Sequence, residues 1–191
     1  MTNPKDQIIT LPNPHLRQRS RKVGLVTGDV QKIITDMEAA LVDWENSREH
    51  EVGVALAAIQ IDQALRIVII RSNHNNKEDK SFRVFINPVI TKYEGPIETD
   101  HEGCLSIKDI YGLIPRYQKV RVKAQDTSGR SFRITAEGFQ ARTLQHEIDH
   151  TNGTLFVDHI KNNKKAFFIL NKEGNLEQLD EKDIELSNIF R

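Results

Sequence analysis

The chain of 191 residues contains one cysteine, one tryptophan and 6% aromatic residues. With Cys104 as the sole thiol, no intrachain disulfide can form, and a reducing compartment fits best. No stretch approaches the roughly 20 apolar residues of a membrane span. The opening Met1-Thr2-Asn3-Pro4-Lys5-Asp6-Gln7 also lacks the apolar run of a signal peptide, so a soluble protein, unprocessed apart from its first residue, is expected. Charge of one sign is missing too: 27 basic residues stand against 27 acidic ones, which gives no general attraction to nucleic acid or to a membrane. Neither a membrane partner nor a sequence-specific nucleic-acid partner is expected. What is present is the composition of one globular domain, with 38% hydrophobic and 28% charged residues and enough length to bury a core.

Residues Ile8 to Arg21 read as an extended, proline-punctuated arm. From about Asp29 to Glu49 the apolar residues Ile33, Ile34, Met37, Ala40, Leu41 and Trp44 recur at helical spacing, a stripe expected to pack on a sheet. Val52 to Ile61, Leu65 to Ile70 and Phe82 to Tyr93 read as strands, the last interrupted by Asn87-Pro88, with Ser72 to Lys80 as a solvated loop. Val120, Val122 and Ala124 alternate with Arg121, Lys123 and Gln125, and Asp126-Thr127-Ser128-Gly129 turns the chain into a hairpin with Phe132 and Ile134. Helical spacing returns from Ala136 to Asn152, placing Phe139, Thr143, His146 and His150 on one stripe with Gly153 as the stop. Strands first and the main helix late predict an α+β fold, with mixed or antiparallel sheets packed around a central helix.

That helix carries Gln145-His146-Glu147-Ile148-Asp149-His150. Residues four apart share a helix face, so His146 and His150 can bind one metal ion while Glu147 stands beside it to move a proton. The pattern predicts metal-assisted hydrolysis. A third ligand is offered by Cys104 within Glu102-Gly103-Cys104-Leu105-Ser106, since a thiolate and two imidazoles leave one tetrahedral position for water. In Gly53-Val54-Ala55-Leu56-Ala57-Ala58-Ile59-Gln60, small residues let a peptide lie alongside as an added strand, and the Gln60 amide can donate to a developing oxyanion. Asp149 can orient a ligand or pair with an arginine. A Cys/His/His set accepts iron, zinc, nickel or cobalt.

In this order, the three segments resemble the signature motifs of the peptide deformylases: the glycine-rich first motif at 53–60, EGCLS at 102–106 and QHExDH at 145–150. Ile86-Asn87-Pro88, Arg116 and the Leu11-to-Arg17 arm extend the resemblance over about residues 8–160. It implies a catalytic domain over 1–160 and a C-terminal extension over 161–191, part of the same domain or loosely packed. It also implies a divalent metal, Fe(2+) first and Zn(2+), Ni(2+) or Co(2+) next, held by Cys104, His146 and His150. Glu147 would be general base and then acid, with Gln60 and the Leu105 N–H stabilising the oxyanion. Val54, Ala55, Glu102, Gly103 and Thr143 would bind the substrate. The implied reaction removes the formyl group from the N-terminal formylmethionine of nascent chains, in the bacterial cytoplasm or in an organelle, and the C-terminal segment either contacts the ribosome or covers the core. The chain departs from the family pattern at Ala55, where a second glycine is usual, at Lys108 and at Thr151. Two rival readings stand beside it. One is a deformylase-like binder with weak turnover. The other is an HExxH metallopeptidase, for which Asp158 and His159 lie at the wrong spacing to supply the downstream ligand.

Overall fold

The stretch Ile67-Val68-Ile69-Ile70 is buried throughout, and its two-residue period decides the architecture. Ile67 and Ile69 pack into a cluster with Ile34, Met37 and Leu41, whereas Val68 and Ile70 pack into another with Ala141, Leu144 and Ile148. Successive strand residues point to opposite faces, so two helices lie on the two sides of one sheet.

The structure, a computed structural model, describes residues 3–49, 51–73, 75–76, 78–187 and 189–190. In chain order the elements are α1 (Gly28–Asn46), β1 (Ala55–Ala57), β2 (Ile67–Arg71), β3 (Phe82–Cys104), β4 (Ile107–Gln125), β5 (Ser131–Glu137), α2 (Gly138–Thr151), β6 (Phe167–Leu170), β7 (Leu176–Gln178) and α3 (Glu181–Leu186). The fold is α+β. Where mixed or several sheets were expected, the strands form one sheet in the order β1-β2-β3-β4-β6-β7, with β5 also on β4, and every pairing between them is antiparallel. β4 spans enough length to serve three neighbours: β3 along one edge, β5 and β6 at different heights along the other.

The hairpin after β4 forms as its sequence predicts. Asp126 Oδ1 accepts from the N–H groups of Ser128 (2.9 Å) and Arg130 (3.0 Å), and Gly129 takes φ 80°. At Asn87, φ is 53°, and the register with β4 shifts between Ile86 and Val89, so Asn87-Pro88 bends β3 instead of ending it.

Several sequence expectations are corrected here. Val52 to Ile61 is not one strand: pairing stops at Ala57, and Ala58–Ile61 is a 3-10 turn, because the Ala57 N–H is taken by the Gln60 side chain at 2.9 Å. Trp44 leaves the apolar stripe of α1 and lines a cleft. The arm expected to be extended over Ile8 to Arg21 contains a 3-10 turn at Pro14–Arg17, with another before it at Pro4–Gln7, and ties to the body through Ile9 N–H to Gln60 O and Leu11 N–H to Ser106 O. Near the other end, Phe167, Leu179, Ile184 and Ile189 are buried with Leu16 and Phe156 in one cluster.

Candidate active site

Three elements converge on one cleft of about 300 Å³. α2 brings His146, Glu147 and His150, its inward face being buried from Ala141 to Ile148. The tight β3–β4 turn at Leu105-Ser106 brings Cys104, and the 3-10 turn after β1 brings Gln60. The Cys104 sulfur and one ring nitrogen each from His146 and His150 lie within 4.8 Å of one another, and Cys104 Sγ is 3.3 Å from His150 Nε2. This donor set fits a divalent ion of borderline softness.

The carboxylate of Glu102 selects the nitrogen His146 can offer. Its Oε2 is 2.9 Å from His146 Nδ1, so Nδ1–H donates and the Nε2 lone pair is left for a metal. Arg116 braces Glu102 from Nε (3.0 Å) and Nη2 (3.1 Å), and Arg142 from Nη1 (2.8 Å). Burial alone would raise the Glu102 carboxyl, but the His146 and Arg116 bonds outweigh it and hold it well below the usual carboxylate range. Arg116 also donates to Asp149 at 2.5 Å, and His159 Nε2 lies 2.8 Å from the same oxygen, so Asp149 pairs with an arginine. Asp158 bonds Arg17. Neither Asp158 nor His159 joins the metal-binding group formed by the described residues.

Burial pushes Glu147 up to about 7, and its Oε2 has no hydrogen-bond partner among the described residues. A buried, unpartnered carboxylate oxygen is poised to exchange a proton with a bound reactant. Gln60 is oriented by its own backbone: Oε1 accepts from the Ala57 N–H, which turns Nε2 toward Ser106 Oγ (3.1 Å) and Cys104 Sγ (3.5 Å). An N–H donor thus stands beside the thiol.

Of the site residues expected from sequence, Val54, Ala55, Gln60, Glu102, Gly103, Cys104, Leu105, Thr143, His146 and Glu147 line the cleft, and His150 lies behind them. Glu102 borders the cleft, but its carboxylate is occupied by two arginines and an imidazole. The Thr143 hydroxyl donates to Phe139 O at 2.9 Å. Sequence reasoning missed Glu51, Tyr111 and Arg142, and placed Trp44 in the core. Arg142 had a legible signal, since it sits one helical turn before His146 on the same face. Glu51 had none.

An α+β fold that gathers a thiol, two imidazoles, a carboxylate and a carboxamide in one cleft defines a class, the metal-dependent hydrolases. The family model described as polypeptide deformylase matches residues 5–166, and the chain belongs to that family. A peptide deformylase of Mesorhizobium japonicum is 41% identical over 166 residues, 87% of this chain and 90% of that protein. One of Psychrobacter arcticus is 36% identical over 191 residues, 95% of this chain and 97% of that protein. The crystal structure of a peptide deformylase from Synechococcus elongatus in complex with actinonin superposes with a TM-score of 0.74 at 32% identity, covering 82% of this chain and 80% of that one.

Proposed function

We propose that this chain hydrolyses the N-formyl group from the N-terminal formylmethionine of nascent polypeptides, releasing formate. The observation that carries the reading is the convergence of three ligand atoms within 4.8 Å, in a cleft that also holds Glu147 and the Gln60 amide. Cys104, His146 and His150 are the proposed ligands, with ferrous iron the first candidate and zinc, nickel or cobalt compatible with the same donors. When bound, such an ion supplies Lewis acidity, polarising the formyl carbonyl and lowering the pKa of water.

The chain's own groups do the rest. Glu147 takes a proton from the attacking water and returns it to the departing amine. Gln60 Nε2 donates to the oxyanion, with the Leu105 N–H as second donor, each contribution on the order of 3 kcal/mol. Glu102 keeps His146 in one tautomer. Val54, Ala55, Gly103 and Thr143, with Glu102, are proposed to border the substrate, the methyl of Ala55 narrowing the approach of the peptide backbone.

Residues 1–160 are assigned as the catalytic domain. The buried Leu179, Ile184 and Ile189 support including 161–191 in the same unit. A ribosome contact through this segment, for which the exposed Lys161 and Lys165 offer charge, and a place in the bacterial cytoplasm or an organelle complete the proposal. No helix among the described residues is long and apolar enough to cross a membrane.

Anaerobic, iron-loaded protein is expected to release formate from formyl-Met-Ala-Ser, and Glu147→Ala to lose at least about 10³-fold of that rate while retaining metal. Formate release at background by the wild type, or undiminished turnover by the variant, contradicts the assignment.

A further inference from the structure

Part of the cleft wall is built from side chains that the deformylation chemistry does not use. After α1 ends at Asn46, the chain returns toward β1 past the cleft, and Glu51 lines it there beside Trp44 and Tyr111. Both Glu51 carboxylate oxygens are held: the Tyr111 hydroxyl donates to Oε1 at 2.8 Å, and Arg48 Nε donates to Oε2 at 2.5 Å. The Arg48 guanidinium lies 5.4 Å from the centre of the Trp44 ring and also bonds the carboxylate of Asp109. Tyr111 is itself packed so closely on Gly103 that a Cβ there would come within 2.7 Å of its ring. Glu51 is therefore fixed relative to Gly103, the neighbour of the proposed ligand Cys104.

One guanidinium divided between two carboxylates leaves this trio with a net charge of −1. Of the other charged groups lining the cleft, Glu102 is bonded to Arg142, Arg116 and His146, and Glu147 is buried at the reacting centre. Of the trio, Glu51 lines the cleft and Arg48 and Asp109 hold it from outside that lining; all three side chains keep some exposure whereas Gln60 and Glu147 are buried, so Glu51 lies nearer solvent and the chemistry at the floor. Formylmethionine is the terminus of its substrate. Every residue that follows must leave the floor through the mouth, within reach of this field.

We propose that Glu51, braced by Tyr111 and Arg48, is a specificity-determining residue that favours substrates with a basic side chain directly after methionine over those with an acidic one. The inference rests on the deformylase reading. At the edge of solvent a unit charge acts over about 8–10 Å in moderate salt. At that range it is worth a factor of about two to four for each charged side chain, so lysine against glutamate separates by about five- to tenfold in kcat/KM.

The test is formate release at low salt from formyl-Met-Lys-Ala and formyl-Met-Ala-Lys amides, each against its glutamate counterpart, with formyl-Met-Ala-Ala as neutral reference. The wild-type lysine-to-glutamate ratio is expected at about five to ten directly after methionine and nearer one at the following position, the former falling toward one in about 0.5 M salt; a larger ratio at the following position overturns the assignment. Glu51→Gln should bring it toward one. Asp109→Asn should do the same, and asparagine tolerates the φ of 59° found there. Arg48→Met, which leaves two uncompensated carboxylates, should raise it above wild type. A wild-type ratio near one, or a ratio unmoved by all three variants, overturns the proposal. Absence of turnover even of the neutral peptide overturns the deformylase reading and this one with it, and is distinguishable from turnover without preference.

Discussion

A carboxylate 2.9 Å from one nitrogen of His146 decides what the other nitrogen can do, and two arginines decide where that carboxylate stands. Such outer partners typically change metal affinity about 10–100-fold when removed. Glu102→Gln keeps the shape but loses the charge that fixes the Nδ1–H tautomer, so faster metal loss to a chelator is expected within that range. Retention equal to wild type would mean that Glu102 serves the fold alone. At this scale the sequence is informative where chemistry restricts residue type. Cys104, His146, His150, Glu147 and Gln60 are a short set that metal binding, proton transfer and oxyanion stabilisation require. Glu51 is illegible because its position depends on Arg48, three residues before it, and on Tyr111, sixty residues after it.

Among the elements, α2 must stop so that the chain can turn back under the site. Gly153 does this with φ 78°, and a Cβ there would sit 2.3 Å from Arg17 O, against the N-terminal arm. Gly153→Ala therefore meets both a backbone penalty and a clash, and a loss exceeding about 1 kcal/mol is expected, read as a lower Tm and midpoint in urea. An unchanged midpoint would contradict this packing. α1 and the β4–β5 hairpin were legible because each shows one hydrophobic period against one buried face. The far half of β3 was not. From Thr91 to His101 nearly every residue is exposed, and the strand expected to end at Tyr93 goes on pairing with β4 to Cys104. Strand without a buried face leaves no period to read. Ala58 to Ile61 was misread for the opposite reason, since uniform burial hides the point where Gln60 captures its own backbone.

Across the whole molecule, the sheet is held against α1 by apolar packing and by one buried ionic cluster. Glu45 of α1 is 5% exposed and bonds Arg71 of β2, while Lys80 and the Gly53 N–H donate to it as well. Burial raises its carboxyl, but the Lys80 bond, the Arg71 charge and the Gly53 N–H together outweigh this and leave it below the ordinary 4.5. A carboxyl depressed on folding contributes stability that is complete above its unfolded value and is lost as pH falls through the folded one. Glu45→Gln should thus cost on the order of 3 kcal/mol at neutral pH, because the ion pair from Glu45 to buried Arg71 is lost. The difference in Tm from wild type should shrink as pH drops below 4.5. A pH-independent difference would locate the loss in packing instead.

The same two-sided sheet brings β1, the β3–β4 turn and α2 to one cleft, and the proposed function turns on what that cleft does to a formylated chain. The most direct measurement follows formyl-Met-Ala-Ser by mass spectrometry and formate assay together, using anaerobically prepared, metal-loaded protein. The expected result is one formate per peptide, with Met-Ala-Ser intact as the other product. Cleavage at an internal peptide bond, or an unaltered substrate beside fully occupied metal, would contradict it.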